Sequence, residues 1–141
     1  MSLITEAKIG LADALKAVAE IKRVYRQPPD SQTITQLPAA VLLTEPIIYS
    51  LAMGGTHWRG VLRVKLLIHK GDSTEAYDLL DDLLDPSGDK SVAEAIQNNR
   101  TLGGKVDDAA VIRAENIGGQ DVGGVRYVAA DLLVEIIRTR T

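Results

Sequence analysis

The stretch from Trp58 to Lys70 constrains the fold more than any other part of the chain. Trp58, Leu62, Val64, Leu66 and Ile68 alternate with Arg59, Arg63, Lys65 and His69. A period of two places the apolar set on one face and the basic set on the other. Such alternation describes a sheet buried on one side only, typical of antiparallel pairing. Everything else in the sequence has to supply that sheet with partners and one face with cover.

The flanking segments supply both. Ile4, Ala7, Leu11, Leu15, Val18, Ile21 and Tyr25 recur every three or four residues, which predicts one amphipathic helix ended by Pro28-Pro29. Gly10 weakens its interior by up to about 1 kcal/mol. Residues 26–36 read as a polar loop. A strand is expected from Ala39 to Ile48, with Pro38 and Pro46 pointing to an edge or a bulge. Leu51 to Thr56, with Gly54-Gly55, reads as a loop. Asp72-Ser73-Thr74-Glu75 has the form of a capping box ahead of a helix carrying Ala76, Leu79, Leu80, Leu83 and Leu84. After the Pro86-Ser87-Gly88 turn, Ser91 with Glu94 starts a short helix to Asn98 or Asn99, before Gly103-Gly104. Two strands follow, Val106–Ile117 and Val125–Arg138, joined by a flexible loop over 118–124. The last strand is apolar on both faces, so it needs cover on both, from a helix or a neighbouring subunit.

The expected architecture is therefore a single α+β domain spanning residues 1–141. Its order is α-β-β-α-(α)-β-β, giving one four-stranded, mainly antiparallel sheet of two hairpins with helices packed on a face. The length of 141 residues suits one domain.

Composition removes several classes of function. There is no Cys, and His57 and His69 are the two His. About 40 Å of extended strand separates them, so they share no site within one subunit. No metal or cofactor site is expected. No run approaches the roughly 18 apolar residues of a membrane span, and the N-terminus lacks the apolar core of a signal peptide. A formal net charge of −3 and 4% aromatics argue against a basic, ring-stacking nucleic-acid surface. No G-x-S-x-G, H-E-x-x-H, phosphate loop or G-x-G-x-x-G occurs. No enzymatic centre is expected. A carboxylate site holding a divalent cation among Asp78, Asp81, Asp82 and Asp85 is the minor enzymatic alternative, and an unrelated small binding domain is another.

Charge is distributed unevenly. Residues 72–89 contain seven acids and no Lys or Arg, whereas residues 57–70 hold four cations and no acid. Asp78/Asp82 and Asp81/Asp85 are like-charge pairs one helical turn apart, each unfavourable by roughly 0.2–0.5 kcal/mol. Asp82 and Asp85 also lie near the helix C-terminus, where anions are disfavoured. Solvated faces tolerate this. A contact between subunits would use it, with Arg59, Arg63 and Lys65 facing Asp78, Asp81, Asp82 and Asp85 of a neighbour.

Several local signatures, in order, resemble the tail-terminator (tail-completion, or minor tail) proteins of long-tailed bacteriophages. They are Val24-Tyr25-Arg26-Gln27-Pro28 after the leading helix, Leu37-Pro38-Ala39, Gly54-Gly55, the Trp58–Ile68 strand, Leu79-Leu80-Asp81-Asp82-Leu83-Leu84, Leu102-Gly103-Gly104 and Gly123-Gly124-Val125-Arg126-Tyr127. Together they cover most of residues 3–138. The resemblance implies a structural virion protein without catalytic residues. It would form a homo-oligomeric ring, six-membered by analogy, on the head-proximal end of the tail tube. There it would stop tube growth and present a surface to the head-completion or connector protein, with DNA only passing through the lumen. Neck and head-completion proteins of similar size are the alternative. Loops 26–36, 50–57 and 118–124 are expected to order on docking.

Overall fold

A computed structural model describes residues 2–29, 34–49 and 57–139. The elements are α1 (Leu3–Leu15), β1 (Arg23–Tyr25), β2 (Ala39–Tyr49), β3 (His57–Lys70), α2 (Thr74–Leu84), α3 (Val92–Gln97), β4 (Asp108–Val122) and β5 (Val125–Thr139). The strands form one five-stranded mixed sheet in the order β1-β2-β3-β5-β4. This corrects the expected four-stranded, mainly antiparallel sheet. The class remains α+β, and both hairpins, β2–β3 and β4–β5, are present. The added strand is β1, which runs parallel to β2 through Arg23↔Ala39, Val24↔Ala40 and Tyr25↔Val41.

The error has a definite cause. Val18 and Ile21 are buried, as the helical stripe requires. They are not helical, because α1 ends at Leu15 and residues 16–20 form turns with i→i+3 bonds, Ala17 N to Ala14 O and Val18 N to Leu15 O. The periodicity recorded burial, not conformation. Beyond Ile21 the residues Val24 and Tyr25 favour a pleated surface, and Lys22 N donates to Pro38 O at 2.8 Å to start the parallel pairing.

Two further expectations shift. Strand β4 continues through residues 118–122, so the turn shrinks to Gly123-Gly124, both at positive φ as a two-residue primed hairpin turn demands. The N-cap of α2 is Ser73 rather than Asp72, its hydroxyl accepting from Ala76 N. β5 lies between β3 and β4, so both its edges are paired. The Pro46 expectation holds, with a register shift between Thr44 and Ile47 where β2 runs beyond β1. Ser91 caps α3 through Glu94 N at 3.0 Å. The Gly54-Gly55 loop and residues 30–33 lie outside the described residues, as does the side chain of His57.

The helices cover one face. Leu11, Leu15, Leu80, Leu83 and Ile96 meet Leu42, Val64, Leu66, Val134 and Ile136 in the main core. A smaller core on the reverse face gathers Ile34, Val41, Leu67, Tyr127 and Ala129. The Tyr127 hydroxyl is buried there without a hydrogen-bond partner among the described residues. Its pKa is raised, first by burial and then by the Tyr25 charge.

Gly10 illustrates how packing overrides propensity. A Cβ there would lie 2.5 Å from Leu102 O and 2.8 Å from Leu102 Cβ. Helix propensity alone makes Gly10→Ala stabilising by about 1 kcal/mol. Overpacking against backbone reverses the sign, and a loss of about 1–3 kcal/mol is expected. Urea unfolding checks it, and a stabilised variant would contradict the close approach of α1 to Leu102.

Candidate functional site

On the face opposite the helices the sheet carries a polar network centred on Asp131, which is 2% exposed. A carboxylate so buried requires charged or hydrogen-bonded partners. The register puts Asp131 opposite Lys65 on β3 and Glu115 on β4, so all three project from one face. Asp131 Oδ2 receives Arg63 Nη1 at 2.8 Å and Asn116 Nδ2 at 2.9 Å, and its Oδ1 receives Lys65 Nζ at 3.0 Å.

The network then spreads sideways. Arg63 Nη1 also meets Glu115 Oε1 at 2.8 Å, and its Nε donates to Glu45 on β2. Lys65 Nζ donates to Gln120 Oε1 at 2.6 Å, and Gln120 Nε2 donates to Asn116 O at 2.7 Å. Arg113 reaches Glu115 at 3.1 Å. Four strands are thereby joined by side chains as well as by backbone. The bulge between Glu115 and Gly118 places Asn116 at a φ of 54°, within reach of Asp131.

Electrostatics follows from this geometry. Burial pushes the Asp131 carboxyl up, but the bonds from Asn116, Lys65 and Arg63 and the Lys65 charge outweigh it and hold the pKa below the usual carboxylate range. The Glu45 bond, opposed by burial and joined by Glu115 and Asp131, holds the Arg63 guanidinium more firmly protonated than usual.

The basic residues expected to form an interface therefore have different fates. Arg63 and Lys65 are neutralised within the protomer, whereas Arg59 is exposed. The structure does place Asp78, Asp81, Asp82 and Asp85 together on the exposed side of α2, with Ala76, Leu80 and Leu83 turned inward. Of the four acids, Asp82 meets Lys90 at 3.6 Å. No group of three or more His, Asp or Glu suited to a metal ion occurs among the described residues.

Sequence reasoning missed Asp131, Glu45, Glu115, Asn116 and Gln120. A signal existed for Asp131, the lone acid within the apolar run Tyr127–Val134. A charge there has to find cations across the strand, and Lys65 and Arg63 are in register to provide them.

Removing the carboxylate tests the network. Asp131→Ala is expected to destabilise by about 3–5 kcal/mol, because Arg63 and Lys65 lose their buried counterion. A depressed folded pKa means that the Asp131 contribution is complete above the unfolded value of about 3.9 and is lost as pH falls through the lower folded value. The stability gap between wild type and Asp131→Asn, followed by denaturant titration, is expected to be constant near neutrality and to close below about pH 4. A gap that widens on acidification would contradict the assignment.

No helix is long and apolar enough to cross a membrane among the described residues. No family model matches the chain, and no curated protein matches it.

Proposed function

We propose that the chain is a structural assembly protein of the tail-terminator kind, forming a ring at the head-proximal end of a phage tail tube and ending its growth. The signatures along residues 3–138 suggest this reading, and the outer edge of the sheet is the observation that carries it. Strand β4 is 15 residues long and, among the described residues, pairs only with β5. Its two large apolar residues, Ile112 and Ile117, are 50% and 57% exposed. Both lie in the register shifts of the edge, between Val111 and Arg113 and between Glu115 and Gly118.

A long open edge with exposed isoleucines is a liability for a monomer and a template for pairing within an assembly. A homo-oligomeric ring would close by contacts between unlike surfaces of identical subunits. In this reading the partners are copies of the chain, the tube protein and a head-completion protein, and its place is the virion. DNA would pass through a lumen lined by a chain of net charge −3 without being held.

Electron microscopy of the purified protein mixed with tail tubes tests the reading. Rings capping one end of each tube are expected. Attachment to portal-bearing heads instead would assign a head-completion role, and attachment to neither would overturn the assembly function. Ile112→Lys with Ile117→Lys is expected to abolish capping while changing stability by no more than about 0.5 kcal/mol per site, as exposed positions allow. Capping unchanged in that variant would remove β4 from the contact.

A further inference from the structure

A second charged surface lies at the opposite edge of the sheet. Lys16, Ile21, Lys22, Arg23 and Val24 line a concavity of about 430 Å³ beside β1. Lys22, Arg23 and Arg26 follow one another with no acid between them, and all three are exposed. Among the described residues none of these three meets a carboxylate, and Lys16 approaches only the exposed Asp13, at 3.8 Å. The Arg23 guanidinium is held 5.2 Å from the Tyr25 ring centroid, which orients it without neutralising it. Among the described residues β1 pairs with β2 alone, so its outer backbone has no strand partner there.

The complement is carried by the same chain. Among the described residues Asp78, Asp81 and the C-cap Asp85 meet no cation; Asp78/Asp82 and Asp81/Asp85 are like-charge pairs, and Asp81 and Asp85 stand in or just beyond the last turn of α2, both of which raise the energy of the cluster. α2 packs on β3 and β5, with β2 between β3 and β1, so one protomer's acids are displaced from its own β1 edge. The dimensions agree. Asp78 to Asp85 spans roughly 10 Å of helix, and Lys22 to Arg26 roughly 13 Å of strand.

We propose that the basic concavity at the β1 edge receives the acidic outer face of α2 from a second copy of the chain. The two surfaces differ, so the contact is head-to-tail and propagates into a ring or filament. The proposal rests on the self-assembling role proposed above and names one contact that would build it. It also relocates the cations. Arg63 and Lys65 are held by Asp131, and Lys22 and Arg23, which line the concavity, take their place against the neighbour's helix.

Disulfide trapping tests it, because the chain has no Cys. Arg23→Cys protein is mixed at millimolar concentration and low salt with mass-tagged Asp78→Cys, Asp81→Cys or Asp85→Cys protein, each pair in turn, under mild oxidation. For at least one pair the mixed dimer is expected in about tenfold excess over either homodimer, falling to the random ratio in 1 M salt, where the Debye length is about 3 Å. Random ratios for all three pairs at low salt would overturn the proposal. Binding of duplex DNA lost in Lys22→Glu/Arg23→Glu, together with random ratios, would assign the concavity to phosphates instead. Tube capping without α2–β1 trapping would sink this contact and leave the assembly role standing. Trapping without capping would do the reverse.

Discussion

The buried carboxylate of Asp131 is the constraint around which the polar half of this fold is arranged. Placed on an interior strand at 2% exposure, it has to be answered by Lys65 and Arg63 from β3 and Asn116 from β4. Those demands fix register across β3, β5 and β4 on the face where no helix packs. A slip of one residue would turn Asp131 into the apolar core and expose Val134 or Leu132. The same bonds bring in Glu45, Glu115 and Gln120, so the charges of Arg63 and Lys65 are answered within one protomer. Buried pairs of this kind add modestly to stability and cost much when broken. The network's clearest consequence is which charges remain available outside it.

That partition links the fold to the proposed role. Counting residues from the sequence makes β3 the basic surface of the molecule. Pairing withdraws Arg63 and Lys65 from that surface, whereas Lys22 and Arg23 line an open concavity at the β1 edge. The acids of α2 stay outward because Leu80 and Leu83 must face the sheet. Exposed isoleucines on β4 complete the set. The chain thus presents a basic edge, an acidic helix and an apolar edge on separate parts of one small domain. Unlike surfaces on a single subunit are what closed rings and growing filaments need.

Much of the fold was legible where side-chain periodicity matched backbone period. The β3 alternation, the caps of α2 and α3 and both hairpins follow from local chemistry, with the α2 cap displaced by one residue. β1 was illegible because Val18, Ile21 and Tyr25 carry a helical spacing while three parallel ladder pairs with β2 decide the conformation of Arg23 to Tyr25, a non-local fact. The length of β4 was underestimated for a related reason. Gly118-Gly119-Gln120 has turn composition, yet pairing with Tyr127 to Ala129 keeps it extended. Of the interface residues, the α2 acids were legible from charge runs alone. The fate of Arg63 and Lys65 was not, because it depends on cross-strand partners 18 to 68 residues away in sequence.

A double-mutant cycle between Asp131→Asn and Lys65→Met, read by chemical denaturation at neutral pH, tests the central claim most directly. If Asp131 holds Lys65 as described, the two changes are non-additive by about 1–3 kcal/mol, as expected for groups in one polar network. Additivity within about 0.5 kcal/mol would mean that Lys65 is available to solvent and partners, and the assignment of the available cations to the β1 edge would fall with it.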